Sequence, residues 1–300
     1  YGATTKQDPF AELVKAVHEG PEIFYAEHAY PGGTPAWIVR RTEDLKRVYF
    51  DTEHFSSEDY TPFAKLIGEN WSVLPTESDP PLHAQYRMLL MPLFTPKAMA
   101  KLDDRIRQYA REYVLAFKDK GECEFVKDFA FTFPIKVINE LLGLPQDRTD
   151  EFLSWVASLT HSHDPANIAA GVRNIVDYLR GVAAQRREHP EEDAMTHVVN
   201  GKIDGRPLTD AEVTGFNFNL FIGGLETVST HMSLQFLHLA RHPVHQRQLR
   251  ENPEIIPAAV EELMRAYPAV TTFRTCKKET EIKGVKFMPG DKVAMSTTLA

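Results

Sequence analysis

The chain has 300 residues, 43% of them hydrophobic and 25% charged, which is typical of a soluble globular protein. Its formal net charge of −8 argues against nucleic acid as the main partner. Two cysteines exclude a disulfide framework, and the start of the sequence carries neither a signal peptide nor a membrane anchor, so a cytoplasmic protein is predicted.

The first 80 residues predict a small β-structure and a long loop. A helix is predicted at residues 9–19, strands at 23–25 and 36–39 around a turn at 31–33, and a helix from residue 42. The loop, residues 57–80, carries Phe63 and Trp71 among its prolines. Aromatic side chains on an irregular segment usually fasten it to the core, but they are also typical of a lid over a pocket.

The next helix carries two basic side chains on one face. It begins with Pro80 and Pro81, and His83 and Arg87 follow it four residues apart. They could bind one anion together, although by themselves they are better explained by a solvated helix face. Further helices are predicted at residues 96–118, 134–142, 147–159, 168–187 and 193–199, before a turn or hairpin at 201–208.

A single long helix is predicted from Thr209 to Arg241, which is about 33 residues or about 50 Å. It begins with the capping signal Thr209 and Glu212, and no proline follows until Pro243. Polar residues interrupt its apolar run, which excludes a membrane span, and it has too few charges for a coiled coil. Because apolar residues go all the way round, we expect this helix to be buried in a large core.

The middle of this helix combines two glycines with an acid and a hydroxyl. Gly223 and Gly224 predict a bend, and the hydroxyl of Thr227 could take the carbonyl of Gly223 out of the helical hydrogen bonds. The missing side chains would let something flat and bulky lie against the backbone, beside Glu226 and Thr227. By itself the motif is better explained by a packing kink, so other segments have to decide.

The rest of the chain predicts two helices and three strands. The helices are predicted at residues 243–250 and 255–267, and the strands at 270–273, 281–286 and 292–298. Glu262 and Arg265 lie three residues apart in the second helix, and such a pair contributes little stability when exposed. The whole pattern predicts a mainly α fold with small β-sheets, organised around the long helix.

Two groups of histidines were considered as metal ligands. His238, His242 and His245 have helical spacing, and His161 and His163 lie in a loop. Pro243 breaks the helix within the first group, and no carboxylate follows at the spacing of a zinc site. We therefore predict a surface role for these histidines and no metal held by side chains of this chain.

Four motifs occur together in one order: His83 with Arg87, the segment 223–227, Glu262 with Arg265, and Arg274 after a short strand. Each is weak alone. Together they resemble the cytochrome P-450 family of haem-thiolate monooxygenases, and within it the soluble bacterial camphor-hydroxylase group. The resemblance extends along nearly the whole chain and implies the cytochrome P-450 fold in a single domain, residues 1–300.

The resemblance implies haem b, iron protoporphyrin IX, as the cofactor. Its contacts in this chain would be His83, Arg87, Gly223, Gly224, Thr227 and Arg274. The three basic side chains would bind the two propionates, because buried carboxylates need cationic partners. The two glycines would lie over the porphyrin on its oxygen-binding side.

The same resemblance implies roles in catalysis and structure. Glu226 and Thr227 would relay the protons that let the O–O bond of O₂ break as water leaves. Glu262 and Arg265 would be structural and hold the core beneath the haem. The rival hypothesis is a haem-free helical protein that binds small apolar ligands. Such a protein would need neither the acid and hydroxyl nor the cationic trio, so their joint presence argues against it.

By position, the substrate pocket would be lined by Phe63, Trp71, Thr160, Asn219, Ile222, Val270 and Thr272. Trp71 stands where the camphor-binding enzyme has a tyrosine, and an indole N–H can donate but not accept, so camphor itself is not expected. Asn219 could replace that anchor. The resemblance implies a small, mostly apolar substrate such as a monoterpenoid or norisoprenoid. Electrons would come from a [2Fe–2S] ferredoxin with its reductase, docked near Arg87, Lys97 and Lys101.

The cysteine that ligates the haem iron is not among these 300 residues. In the family it lies in a glycine-rich loop well downstream of the strand with Arg274, and neither Cys123 nor Cys276 is in such a loop. The sequence also begins at Tyr1 rather than methionine. We therefore expect the first three-quarters of such a domain, with the cysteine beyond Ala300.

Overall fold

The computed structural model describes residues 14–30, 33–160, 162 and 164–300. These residues form two compact units. The first consists of the described residues up to Pro62, together with Glu77–Pro80 and Pro268–Ala300, and the second of Phe63–Thr76 and Pro81–Tyr267. Each unit has its own buried apolar clusters.

The described part of the chain is mainly helical, as predicted. Its α-helices are α1 (Lys15–His18), α2 (Thr42–Phe50), α3 (Phe63–Leu66), α4 (Leu82–Leu90), α5 (Pro96–Phe117), α6 (Phe133–Leu142), α7 (Thr149–Thr160), α8 (Pro165–Glu188), α9 (Ala194–Val199), α10 (Asp210–Leu225), α11 (Thr227–Arg241), α12 (Pro243–Glu251) and α13 (Ile256–Ala266). Its strands are β1 (Ile23–Tyr30), β2 (Thr34–Val39), β3 (Phe55–Ser56), β4 (Lys202–Ile203), β5 (Arg206–Pro207), β6 (Thr271–Cys276), β7 (Thr280–Ile282), β8 (Val285–Phe287) and β9 (Lys292–Ser296).

The first unit is built on a five-stranded sheet in the order β1-β2-β9-β6-β3. β2 and β9 run parallel, with Trp37 opposite Val293, and the other neighbours are antiparallel. Strands that are far apart in the sequence are therefore joined in one sheet. A buried apolar cluster that includes Val48, Phe55 and Phe287 forms the core of this unit.

The second unit is helical, and α10 runs through its core. Phe216, Phe218 and Phe221 of α10 are completely buried. Phe221 meets Phe152 of α7 edge to face, with 5.4 Å between the ring centroids. α10 also contacts α6 and α8, and its residues 212–218 are buried without a gap, as the apolar pattern predicted, whereas Gly223 near its end is exposed.

The predicted single long helix is two helices with a break at Glu226. The start is as predicted, because Thr209 and Glu212 form a reciprocal capping box before α10. Glu226 leaves the helical hydrogen-bond pattern, with φ −109° and ψ −35°. The glycine pair therefore predicted the interruption correctly, but the break falls two residues after Gly224.

The prediction of burial is wrong for α11. Ser229 is the one fully buried residue among its described side chains, and Phe236 and Leu237 are close to half exposed. The apolar residues of α11 still go all the way round, so the periodicity is read correctly. The described residues do not pack over all the apolar side chains of α11, as this periodicity predicts that some part of the protein should.

One predicted strand is a hairpin, and some predictions fall on residues outside the described ones. The segment 281–286, predicted as one strand, is the hairpin of β7 and β8, because Lys283 and Gly284 both have positive φ and reverse the chain. Residues 9–13, the turn residues 31 and 32, and His161 and His163 lie outside the described residues. No described helix combines the length and apolar character needed to cross a membrane.

Candidate active site

The break between α10 and α11 places a hydroxyl on a backbone carbonyl. Thr227 Oγ1 donates to the carbonyl oxygen of Gly223 at 2.6 Å, as the spacing predicted. Glu226, half-buried, is the residue at the break itself. Glu226 and Thr227, which are predicted to act together, therefore lie at an interruption of the central helix. There the backbone does not form the regular helical hydrogen bonds.

The two glycines before the break differ in their surroundings. A Cβ added to Gly224 would collide with Ile138 of α6, so Gly224 allows these two helices to approach closely. A Cβ added to Gly223 would meet no atom within 4 Å. The open face that the sequence predicted for both glycines belongs to Gly223, while Gly224 is buried against a neighbouring helix.

His83 and Arg87 lie on α4 in the helical unit. His83 is half-buried and Arg87 is exposed. Within the described residues, neither side chain takes part in a hydrogen bond or an ion pair. Both basic side chains therefore remain available to an anion, and their role at a bound group stays a prediction.

Arg274 lies on β6 in the sheet-containing unit and is half-buried. Its Nη1 donates to the carbonyl oxygen of Phe273 at 2.8 Å, and its guanidinium lies 5.3 Å from the centroid of the Tyr49 ring. Among the described residues, no carboxylate forms an ion pair with it. Burial lowers the pKa of Arg274, because the charge is partly desolvated without a direct counter-charge.

The predicted substrate residues divide between the two units. In the helical unit, Phe63 and Trp71 both pack on Phe218, at 5.3 and 4.9 Å between centroids. Ile222 borders the same apolar cluster. In the sheet-containing unit, Thr272 Oγ1 lies 2.5 Å from the hydroxyl of Tyr49.

The remaining predicted substrate residues occupy the ends of elements or contact loops. The Thr160 hydroxyl donates to the carbonyl of Val156 at the end of α7. Val270, which is exposed, accepts a hydrogen bond at its carbonyl from the hydroxyl of Thr297. Asn219 Nδ2 donates to the carbonyl of Leu74 at 2.9 Å, which leaves its Oδ1 as an acceptor.

Sequence and fold both match one family. The family profile described as Cytochrome P450 matches residues 169–299. The probable cytochrome P450 127A1 of Sinorhizobium fredii (strain NBRC 101917 / NGR234) is 38% identical over 298 residues, which cover 99% of this chain and 72% of that protein. The chain belongs to the cytochrome P450 family.

Two further relatives agree with this assignment. The erythromycin C-12 hydroxylase of Saccharopolyspora erythraea is 33% identical over 279 residues, which cover 88% of this chain and 68% of the hydroxylase. The crystal structure of cytochrome P450 CYP101C1 superposes with a TM-score of 0.83 at 29% identity, over 98% of this chain and 72% of that one. As a P450, the protein is a haem-dependent monooxygenase that uses O₂, an apolar substrate and a redox partner.

The side chains present in this P450 fit the chemistry of haem b. Haem is flat and carries two propionates. Gly223 offers backbone with open space beside it, and His83, Arg87 and Arg274 are basic groups without a carboxylate partner among the described residues. An unpaired, partly desolvated arginine is costly unless a ligand supplies the missing negative charge.

The indole N–H of Trp71 already has a hydrogen-bond partner within the protein. Its Nε1 donates to Glu69 Oε2 at 2.8 Å, and the side chain is only 7% exposed. Glu69 is held in turn by Arg180 through two hydrogen bonds of 2.7 and 2.9 Å. Since an indole has a single donor, Trp71 can offer a substrate only its apolar ring in this arrangement.

Glu262 and Arg265 form a pair on the surface of α13. Two hydrogen bonds of 2.7 and 2.8 Å join them, and their side chains are 64% and 72% exposed. The guanidinium lowers the pKa of the Glu262 carboxyl. Within the described residues α13 buries no side chain, so the pair lies on the surface of this helix, and its role in holding the core beneath the haem stays a prediction.

Sequence reasoning missed Tyr49. This residue of α2 contacts both Arg274 and Thr272, so it supports one predicted cofactor residue and one predicted substrate residue. No local spacing could have found it, because the contacts join distant parts of the chain. A tyrosine on the inner face of a predicted helix was its only signal.

Proposed function

We propose that this P450 hydroxylates a small, mostly apolar molecule, such as a monoterpenoid or norisoprenoid, with electrons from a [2Fe–2S] ferredoxin and its reductase. The observation that carries the proposal is the packing of Phe63 and Trp71 on the ring of Phe218, with Ile222 bordering the same apolar cluster, while Asn219, the residue after Phe218, keeps its Oδ1 as an acceptor. An apolar surface with one oriented polar group suits a compact hydrocarbon skeleton that carries one hydroxyl.

The haem would be held by residues from several elements. His83, Arg87 and Arg274 would bind the propionates, and Gly223 and Thr227 would face the ring, with Gly224 needed for the helix packing beside it. When bound, haem supplies the reductive activation of O₂. This proposal treats residues 1–300 as belonging to one catalytic domain.

Proton delivery would fall to Glu226 and Thr227. The Thr227 hydroxyl is oriented by its bond to Gly223, and Glu226 lies next to it at the break of the helix. A carboxyl can exchange protons with solvent, and a hydroxyl oriented in this way can accept a hydrogen bond from the group that carries them. Together they would form a two-residue relay at the open side of Gly223.

The redox partner would dock on the surface around α4 and the start of α5. Met88, Met91 and Phe94 are exposed there, between 47% and 68%. Arg87 and Lys97 are exposed and, within the described residues, have no ion pair, while Lys101 pairs with Glu192. An apolar centre with basic side chains suits a small acidic electron carrier.

A cytoplasmic site of action is part of the proposal, and the two free cysteines are consistent with it.

A spectrum of the protein as its gene encodes it tests the proposal first. Reduced under carbon monoxide, it should show the red-shifted Soret band of a thiolate-bound haem. A spectrum without a haem band would favour the rival hypothesis of a haem-free binding protein.

Substrate and partner are tested separately on the haem-loaded protein. Bicyclic and monocyclic monoterpenols should perturb the Soret band, whereas fatty acids of the same carbon number should not. Lys97→Glu should weaken ferredoxin-supported turnover and leave the spectral response to the monoterpenols unchanged, because it reverses one docking charge only. A response to neither ligand class would overturn the substrate assignment and leave the family assignment intact.

A further inference from the structure

Three histidines meet where α11 passes into α12. His238 lies in α11, His242 at the junction, and His245 in the first turn of α12. One ring nitrogen from each lies within 4.8 Å of the others. The cluster belongs wholly to the helical unit and uses none of the residues assigned to the haem or the substrate.

The helix break that seemed to separate these histidines is what brings them together. His242 adopts φ −125° and ψ 77°, and Pro243 then starts a new helix in a new direction. His245 returns to His238, so that His238 Nε2 and His245 Nδ1 are 2.8 Å apart. The three rings stack with centroid separations of 4.2 to 5.3 Å.

The second nitrogen of two of these rings already has a partner. His242 Nδ1 donates to the carbonyl oxygen of His238 at 2.7 Å, which leaves Nε2 of His242 with a free lone pair. His238 Nδ1 lies 2.7 Å from the hydroxyl of Tyr267, the residue that follows α13. Histidines that ligate metals almost always have the other ring nitrogen hydrogen-bonded in this way, because the bond fixes the ring and raises its basicity.

From this geometry we propose that His238, His242 and His245 bind one transition-metal dication, with Zn²⁺ as the principal candidate. Three neutral imidazoles suit Zn²⁺, Ni²⁺ and Cu²⁺, whereas Mg²⁺ and Ca²⁺ require oxygen ligands that this cluster lacks. Three protein ligands leave a fourth position to water. The ion would link the end of α11 to α12 and, through Tyr267, to the end of α13.

His238 and His245 need only a small movement, whereas His242, which stacks on His238, must turn its ring so that its Nε2 points at the same ion. Two nitrogens about 2.1 Å from a tetrahedral zinc ion are ~3.4 Å apart, so the His238 and His245 rings must move apart by roughly half an ångström. His242 and His245 are exposed and can turn without disturbing the core. The hydrogen bond between His238 and His245 is then replaced by two metal–nitrogen bonds.

Zinc titration of the tag-free holoenzyme tests the proposal. Calorimetry should show one Zn²⁺ bound per chain, and no heat of binding for Mg²⁺ or Ca²⁺ under the same conditions. X-ray absorption at the zinc edge should show nitrogen and oxygen neighbours at about 2.0–2.1 Å and no sulfur at about 2.3 Å, which excludes binding at exposed Cys123.

Three variants assign the ligands. Loss of an outer hydrogen-bond partner weakens metal binding by about 10–100-fold, so Tyr267→Phe should have an effect in this range. His242→Ala and His245→Ala should each cost at least about 100-fold, because they remove a ligand itself. His189→Ala, an exposed histidine after α8, is the matched control and should leave the affinity unchanged.

Two results would overturn the proposal. One is the absence of stoichiometric zinc binding by the holoenzyme. The other is binding that survives His242→Ala and His245→Ala with unchanged affinity. Far-UV circular dichroism of each variant shows that the fold is retained, and since both substituted side chains are exposed, loss of binding cannot be attributed to a damaged core.

Discussion

The hydroxyl of Thr227 donates to the carbonyl oxygen of Gly223 at 2.6 Å, across the break at Glu226 that separates α10 from α11. The bond uses the only hydrogen of the hydroxyl, so Oγ1 can offer only its lone pairs to a group bound on the open side of Gly223. It also gives the Gly223 carbonyl a partner where the helix is interrupted. One contact therefore fixes both the side-chain rotamer of Thr227 and the direction in which it accepts hydrogen bonds.

Removal of this hydroxyl should separate electron uptake from product formation. In Thr227→Ala, nicotinamide oxidation through the ferredoxin should continue, while product per nicotinamide falls about 10-fold or more, because an oriented member of a proton relay typically contributes at least that much. Hydrogen peroxide should account for the missing electrons. The three quantities are measured together in one turnover assay.

Ser233→Ala is the matched control for that experiment. Ser233 makes the same type of bond, to the carbonyl of Ser229 at 2.7 Å, further along α11. Ser233→Ala should form as much product per nicotinamide as the unchanged protein. Thr227→Ser, which keeps a hydroxyl at this position, should form most of the product that Thr227→Ala loses. Full coupling in Thr227→Ala would remove Thr227 from the proton relay.

Substitution of Arg274 should have opposite effects on haem retention and on the stability of the haem-free protein. Arg274→Leu should weaken haem retention at least about 10-fold, because a charge-assisted hydrogen bond is worth roughly 1.5–3 kcal/mol. The same substitution should leave the haem-free protein equally or more stable, because it removes a partly buried cation that has no carboxylate partner among the described residues. Haem loss is measured by transfer to a haem-scavenging protein, and stability by urea unfolding.

Arg247→Leu, on the exposed surface of α12, controls for the loss of one positive charge. It should change neither quantity. If Arg274→Leu lowers the stability of the haem-free protein and leaves haem retention intact, the stacking of Arg274 on Tyr49 is its main role, and the propionate assignment fails.

Local signals in the sequence predicted the elements well and their partners poorly. The capping box of Thr209 and Glu212 was predicted because it lies within one turn. The parallel pairing of β2 with β9 was not, because nothing in either strand's own sequence identifies a partner at the other end of the chain. An interruption was predicted because glycines permit one, but its position at Glu226 was not, and Gly224 itself stays in α10 and packs against Ile138.

The same limit applies to the sites. His83, Arg87 and Arg274 could be proposed from their motifs, while Tyr49, which contacts Arg274, could not. For the histidine cluster, the sequence shows the spacing, but Pro243 between His242 and His245 predicts that its members are separated. Whether the three histidines meet depends on the direction of α12 relative to α11, and the dihedral angles of His242 set that direction.

Acid should weaken the start of α10. Arg206, followed by the backbone of Thr209 and the hydroxyl of Tyr86, lowers the pKa of Glu212 from its usual 4.5 to about 2. Because the folded pKa lies below the unfolded one, the stabilisation is complete above about pH 4.5 and is lost as the pH falls toward 2. Glu212→Gln should remove on the order of 2 kcal/mol of the stability difference between pH 5 and pH 2.5, measured by urea unfolding.

An exposed acid serves as the control for that pH dependence. The pKa of Glu262 is also lowered by an arginine, but both members of that pair are largely exposed. Glu262→Gln should therefore change the acid sensitivity by no measurable amount. Equal acid sensitivity of Glu212→Gln and the unchanged protein would show that the network around Glu212 does not contribute to stability in solution.

The strongest single effect on stability is expected at Arg186 of α8. Its Nε donates to Asp193 Oδ2 at 2.6 Å and its Nη2 to the carbonyl of Gly143 at 3.0 Å. The side chains of Arg186 and Asp193 are 5% and 4% exposed. Arg186→Leu leaves that carboxylate buried without its counter-charge, so a loss of about 3–5 kcal/mol is expected in urea unfolding.

The adjacent arginine separates the effect of burial from that of charge. Arg187 pairs with Asp210 at 2.6 Å, but these side chains are 45% and 89% exposed, so Arg187→Leu should cost less than about 1 kcal/mol. If desolvation of the unpaired acid causes the loss at Arg186, then Asp193→Leu added to Arg186→Leu should recover part of it, because two apolar groups can replace a buried pair at little cost. A double variant no more stable than Arg186→Leu would show that removal of the unpaired charge gains no more than is lost with the Asp193 side chain as the cap of α9, where it accepts a hydrogen bond from the Thr196 N–H at 2.7 Å.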